Sequence, residues 1–132
     1  MFYLDSNVII DVIRGKYPNL MSHFKKYATS EIAVPSIVVA ELEFGASHSD
    51  NYVKRRNQYL EVIAPYKIIP FTQKEAVAYG KIREQLSKDG SLIGPNDMLI
   101  AETALANDVT LVTHNTDEFS RVKNLKITDW RK

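Results

Sequence analysis

The sequence predicts an α/β fold: a short parallel sheet of four to five strands flanked by helices. Three observations carry this prediction. Short apolar runs that read as buried strands alternate with longer segments at helical spacing, the pattern of a parallel sheet covered on both faces. Hydrophobic content is 45% and charged content 25%, ordinary values for a globular protein. The 132 residues are enough to bury one core, and no repeat, low-complexity tract or linker divides them, so residues 1–132 are expected to form a single domain.

Taken in order, residues 2–4 read as a short buried strand and residues 6–14 as a helix, punctuated by Gly15 and Pro18. Met21, Phe24 and Tyr27 continue a helical pattern. Residues 31–34 predict a second strand ending at Pro35. Ser36 is placed to cap a helix over 37–48, and 52–63 is another helix. Residues 67–70 form a third strand. Thr72 with Glu75 makes a capping box for a helix over 73–88. Gly90 and Gly94 bracket a loop, and Pro95 suits the first turn of a helix reaching about Asn107. Residues 109–113 read as a fourth strand and 125–127 as a fifth.

Composition excludes several function classes. The formal net charge is +1, unlike a strongly basic nucleic-acid binder, so any nucleic-acid contact must use a local patch. There is no cysteine, which removes disulfides and Cys-ligated zinc. No apolar run approaches the roughly 18 residues of a membrane span, and Asp5 interrupts any early apolar run. No membrane association is expected, and the chain reads as cytoplasmic.

The chemistry is signalled by carboxylates in unusual places. Asp5 ends the first strand, where open α/β sheets bind ligands; the plainer alternative is that Asp5 and Ser6 cap the next helix. On a helical wheel of about 100° per residue, Ile37, Val38, Leu42, Phe44 and Gly45 form an apolar stripe with Glu41 in its middle, while Glu43 falls on the opposite side. A buried, unpaired carboxylate is costly, so Glu41 needs a cation, a hydrogen-bond network or a cleft, with a salt bridge to Lys or Arg as the alternative. Asp97 opens a nearly all-apolar helix after Gly94-Pro95-Asn96; interaction with the helix dipole is its plain explanation. The stretch 113–119 follows the fourth strand and carries Asp117 and Glu118, either extra acids or a solvated loop. All these positions fall at one edge of a parallel sheet. Clustered carboxylates repel unless a hard cation joins them. Mg²⁺ takes oxygen ligands, and its natural chemistry here is metal-assisted phosphoryl transfer.

These residues resemble a known family. Leu4-Asp5-Ser6-Asn7, Ala40-Glu41-Leu42 with Gly45, and Gly94-Pro95-Asn96-Asp97 with Ile100-Ala101 and Ala104 are similar, in order and spacing, to the motifs of PIN-domain ribonucleases, specifically the VapC-type toxins of bacterial toxin–antitoxin systems. Leu111-Val112-Thr113, Asn115, Glu118-Phe119 and Asp129-Trp130 resemble the subgroup that cuts initiator tRNA. The resemblance implies a PIN-like three-layer sandwich. It implies Asp5, Glu41 and Asp97 as catalytic, metal-binding acids for Mg²⁺ or Mn²⁺, with Ser6 helping to hold the metal or its water. Where many PIN domains carry a fourth acid, this chain has Asn115, which suits a metal-bound water; Asp117 is the candidate replacement acid. The resemblance further implies a tRNA substrate, a VapB-type antitoxin whose tail wraps the enzyme, and a homodimer.

The basic residues Lys25-Lys26, Lys54-Arg55-Arg56 and Arg83 read as solvated helix faces, some of them available to RNA phosphates. His114 is the only one of the 3 histidines near the proposed site. Rival classes fit less well. An aspartyl phosphatase would want a second aspartate at position 7, where this chain has Asn7, and a receiver domain gives Glu41 no role. A catalytically dead scaffold predicts degraded acids.

Overall fold

The computed structural model describes all 132 residues. Strand β1 (Phe2–Leu4) leads into α1 (Ser6–Arg14) and α2 (Pro18–Lys26). A 3₁₀ turn at Thr29–Glu31 precedes β2 (Ile32–Pro35), followed by α3 (Ser36–His48), α4 (Tyr52–Ile63) and β3 (Lys67–Ile69). The chain continues through α5 (Gln73–Lys88), α6 (Pro95–Ala106), β4 (Thr110–Val112), α7 (Thr116–Phe119) and β5 (Lys126–Thr128). The strands run parallel in the order β3-β2-β1-β4-β5. The chain steps outward from β1 to β3, then crosses back to β4 and β5. Parallel crossovers are right-handed, so this reversal moves the helices from one face to the other. Helices α1, α3 and α4 pack together, and α5 packs on α6. The reversal leaves a switch point beyond the carboxyl ends of β1 and β4, where such sheets bind ligands.

Local chemistry explains most element ends. The α1 helix stops at Gly15, left-handed at φ 66°, whose N–H reaches the Asp11 carbonyl at 2.9 Å. The capping box of α5 is present, with the Thr72 N–H donating to Glu75 Oε1 at 2.8 Å. Glu75 also receives the Asn107 amide at 3.2 Å, tying the start of α5 to the end of α6. Ser36 departs from expectation. It is the first residue of α3, and Pro35 holds the N-cap position with no side-chain cap. Pro35 still pairs with Ile69, so strand and helix abut and leave no residue for a separate cap. Glu31, expected in β2, lies in the 3₁₀ turn, where its carboxylate takes the Ala28 N–H at 2.8 Å.

The core joins Leu4, Val34 and Leu111 of the central strands to Ile9, Val38, Leu86 and Ile100 of the helices, all fully buried. The buried face of α3 is Val38, Leu42 and Ala46. Phe44, expected in that stripe, is 70% exposed, because a four-residue spacing presents a narrower face than the wheel suggested. Glu43, on the side of α3 opposite the apolar stripe, receives the hydroxyls of Tyr52 and Tyr59 and meets Arg56 at 3.6 Å, clamping α3 to α4. The chain end is locked down. Trp130 packs edge-on against Phe2 and Phe24 and stacks with Tyr27 and His23. Arg131 grips buried Asp11 through two hydrogen bonds of 2.7 and 2.9 Å, with its guanidinium 4.1 Å from the Tyr17 ring centroid. No helix is long and apolar enough to cross a membrane.

Two stability outcomes follow from these contacts. Arg131→Ala strands Asp11, which is 4% exposed, and is expected to cost about 2–4 kcal/mol in urea unfolding. Lys88→Ala at the exposed Lys88–Glu84 pair is expected to cost less than about 0.5 kcal/mol. Equal losses would contradict this ranking. Glu102 is fully buried in α6, and neither carboxylate oxygen has a hydrogen-bond partner. Burial pushes its carboxyl up to about 7. The folded chain therefore keeps this proton at pH values where the unfolded chain, ionising near about 4.3, has released it. Stability is lost as pH rises between those two values and is level above them. Glu102→Gln is expected to stabilise the protein by roughly 2–3 kcal/mol at pH 8 and much less at pH 5, read by thermal unfolding. A gain that does not change with pH would refute the assignment.

Candidate active site

Asp5 stands between the ends of β1 and β4 and is 2% exposed. Its Oδ1 accepts the Ser6 N–H at 2.8 Å, and its Oδ2 accepts the Asn7 amide at 2.9 Å and the Thr113 hydroxyl at 2.8 Å. Both sequence readings hold at once: Asp5 is the N-cap of α1, and it sits at the switch point. Burial pushes its carboxyl up, while Thr113, Ser6, Asn7 and the nearby His114 draw it back.

Glu41 projects from α3 and is half-buried. Its Oε1 is buried without a hydrogen-bond partner, and none of the ion pairs in the fold involves it. The salt bridge considered from sequence is therefore not made. Burial raises its carboxyl and the Asp5 charge adds to this, while the Ser6 and Asn96 side chains pull the other way.

Asp97 lies in the first turn of α6. Burial, the facing Glu118, Asp5 and Glu41 together push its carboxyl up to about 7. The favourable helix-start field is thus outweighed by burial and the surrounding acids. Asn115 joins this group, its amide reaching Asp97 Oδ2 at 3.4 Å and Glu118 Oε2 at 2.8 Å.

The extra acid that the structure brings in is Glu118, not Asp117. Glu118 Oε1 accepts the Gly94 N–H at 2.7 Å, and this bond, with the Asn115 amide, holds its carboxyl below the usual range. Asp117 is exposed, and its backbone carbonyl takes the Ser120 hydroxyl at 2.8 Å. Residues 116–119 form a helical turn, not the loop expected. Neighbouring residues on a helix point about 100° apart, so burying Phe119 and turning Glu118 toward Asn115 sends Asp117 outward. Three-residue spacing from Asn115 to Glu118 was the available signal. Asn96, beside Glu41, carried no signal in the sequence.

These residues meet the needs of a hard cation in donor type. The donors are all oxygens or amides, Glu41 Oε1 is unpaired, and burial together with the neighbouring acids raises Asp97. No three of the acids converge closely enough to cage an ion alone. Mg²⁺ does not require that, since it keeps several waters and takes one or two carboxylates.

The repulsion has a measurable sign. A carboxyl raised to about 7 removes stability as pH rises toward that value. In EDTA, Asp97→Asn is expected to raise stability at pH 8 by roughly 1–2 kcal/mol, allowing for solvent screening of a half-exposed group. The gain should shrink at pH 5. Destabilisation at pH 8 would mean that Asp97 serves chiefly as a favourable helix-start anion.

The chain is similar to known proteins over its whole length. Residues 2–125 match the PIN domain family. The chain is 35% identical to Ribonuclease VapC2 of Rickettsia felis, covering 100% of this chain and 99% of that one. It is 30% identical to the tRNA(fMet)-specific endonuclease VapC of Salmonella typhimurium, covering 98% and 97%. Among solved structures, VapBC2 from Rickettsia felis bound to a promoter DNA fragment superposes with a TM-score of 0.92 at 35% identity, over 98% of this chain and 99% of that chain. DNA-bound VapBC from Salmonella typhimurium does so with a TM-score of 0.92 at 30% identity, over 98% and 97%. With its parallel sheet, its acids at the switch point and these full-length likenesses, the chain belongs to the PIN-domain family, among the VapC ribonucleases.

Proposed function

We propose that this chain is a metal-dependent endoribonuclease, the toxin of a toxin–antitoxin pair, and that it cuts the anticodon stem-loop of a tRNA, most specifically initiator tRNA. The observation that carries the reading is the Glu41 Oε1 oxygen, buried without a hydrogen-bond partner beside Asp5 and Asp97, whose carboxyl burial and the neighbouring acids push up. Such a group of acids is poorly satisfied by the protein itself and is suited to Mg²⁺ or Mn²⁺. Asp5, Glu41 and Asp97 would hold the ion, with Ser6 and Asn115 placed to hold its waters. When bound, the ion supplies activation of water and neutralisation of charge on the phosphate. The chain's own part is positional. Thr113 and the Ser6 N–H fix Asp5, and Asn115 and Gly94 fix Glu118 against Asp97. Support for the tRNA substrate comes from the Salmonella typhimurium relative named for tRNA(fMet), and sequence-specific RNA recognition mostly targets single-stranded loops.

The partner is a VapB-type antitoxin, a reading supported by the VapBC assemblies named for related structures. An arginine or lysine from its tail would approach Asp5, Glu41 or Asp97, since a guanidinium fork pairs well with carboxylates. The toxin would act as a homodimer, with the Ile37–Phe44 surface or the α4 helix partly covered by that tail; Phe44 and Val53 are exposed there.

Purified protein incubated with total RNA is expected to cut tRNA in Mg²⁺ or Mn²⁺ and not in EDTA, with Asp5→Ala inactive, and mapped ends falling in an anticodon loop. Glu118→Gln should lower cleavage by roughly 10–100-fold, the range for groups that orient metal ligands, while Asp117→Asn leaves it unchanged. Undiminished activity in EDTA would overturn the metal site. Uniform digestion of unstructured RNA with folded tRNA untouched would overturn the substrate. Co-expression with the neighbouring small reading frame should give a complex that survives gel filtration and no longer cleaves.

A further inference from the structure

We infer that the groove between α1, α3 and α4 is the path of the RNA strand next to the scissile phosphate, and that Arg14 and Arg55 grip the strand's phosphates there. This rests on the nuclease reading above and adds the residues that hold the substrate. The groove has a volume of about 370 Å³, with Ile10, Ile13, Leu42 and Tyr59 as apolar lining, Arg14 and Arg55 beside them, and Glu41 at its boundary with the active site. Glu41, Ile10 and Leu42 also line a second hollow that contains Ser6 and Asn96, so the groove adjoins the active site through Glu41.

Four of the six arginines make no ion pair, and two of these four, Arg14 and Arg55, line this groove. Arg56 pairs with Glu43, Arg131 with Asp11, Arg83 binds the Tyr79 hydroxyl and Arg121 the Leu92 carbonyl. Arg55 reaches only its helical neighbour Gln58, at 3.2 Å, and Arg14 makes no hydrogen bond or ion pair. Both are exposed. The groove therefore has acids that call for a cation at one end and cations without acids at the other. A polynucleotide matches both ends: one phosphate lies against the cation held by the acids, and phosphates further along the chain meet the guanidiniums, while a base or ribose covers the apolar lining. A peptide that placed its own arginine on the acids would meet like charge at Arg14 and Arg55 unless it also carried acids.

The test is binding of a fluorescent anticodon stem-loop RNA to the full chain, with Ca²⁺ in place of Mg²⁺, across a salt series. The doubly substituted Arg14→Gln, Arg55→Gln protein is compared with wild type and with a control of equal charge loss on α5, Lys81→Gln, Lys88→Gln. The groove variant should bind at least tenfold more weakly, with a salt slope reduced by about 1–1.5, as expected for two lost single-strand phosphate contacts. With Mg²⁺ its KM should rise while kcat stays at the wild-type value. Unchanged affinity and slope, an equal loss in the α5 control, or a fall in kcat with KM unchanged would each overturn the inference. Absence of RNA binding by wild type would overturn it as well. If wild type binds the RNA through these arginines but cuts no RNA, the nuclease reading fails and the groove assignment stands.

Discussion

The hydrogen bond from the Thr113 hydroxyl to Asp5 Oδ2, 2.8 Å long and fully buried, ties the ends of β1 and β4 at the one place where the sheet reverses its winding. Thr113 also accepts the Asn115 N–H at 3.0 Å, so the loop after β4 is set by the same hydroxyl. Asn115 then holds Asp97 and Glu118, and Glu118 holds the backbone just before α6 through Gly94. Three chain segments far apart in sequence, at residues 5, 94–97 and 113–118, are thus registered through one threonine. Backbone pairing supports it: the Asp5 N–H reaches the Val112 carbonyl at 2.9 Å, and the Thr113 N–H reaches the Thr128 carbonyl at 3.0 Å.

The acids of this protein divide by how well the fold satisfies them. Asp11 has the fork of Arg131, Glu43 has two tyrosine hydroxyls, and Glu75 has Thr72 and Asn107. Each of these ties two elements together and has a structural role. Glu41 and Asp97 are held where the charged form is penalised, and the fold supplies no cation to offset it. A buried charge without a partner is costly, so its placement at a ligand-binding edge points to a partner from outside the chain. Glu102 shares the burial but not the location, and it marks the limit of that inference: a raised carboxyl becomes a site candidate only beside other groups that can share a ligand.

Much of this was legible in the sequence because the strands are short apolar runs ended by polar residues, and because Gly15, Thr72 and Pro95 mark helix boundaries by local chemistry. Asp5, Glu41 and Asp97 were visible because each interrupts an apolar pattern. What escaped depended on tertiary contact. The choice between Glu118 and Asp117 is a rotation of one residue in a short helical turn, set by the burial of Phe119. Glu43 gave no signal beyond falling opposite the apolar stripe, because the two tyrosines that receive it lie on the next helix. Glu102 was passed over inside a helix read as nearly all-apolar, and the structure places it on that buried surface.

The unsatisfied acids also connect the proposed chemistry with its proposed control. Three kinds of positive charge can relieve the repulsion around Asp97: a proton, a divalent cation and a guanidinium. They compete for the same oxygens, so binding of any one weakens the others by linkage. Below pH 7 the proton raised onto Asp97 opposes metal binding. An inhibitor's arginine, which keeps its charge above pH 7, would oppose it there as well. The groove arginines bias this competition. Arg14 and Arg55 repel a purely basic tail and attract a phosphodiester chain, so an effective antitoxin segment must present its cation to the acids and acids or apolar residues to the groove. That charge order is the reverse of one set by the carboxylates alone, and it follows from two arginines that the fold leaves without an acid to pair with.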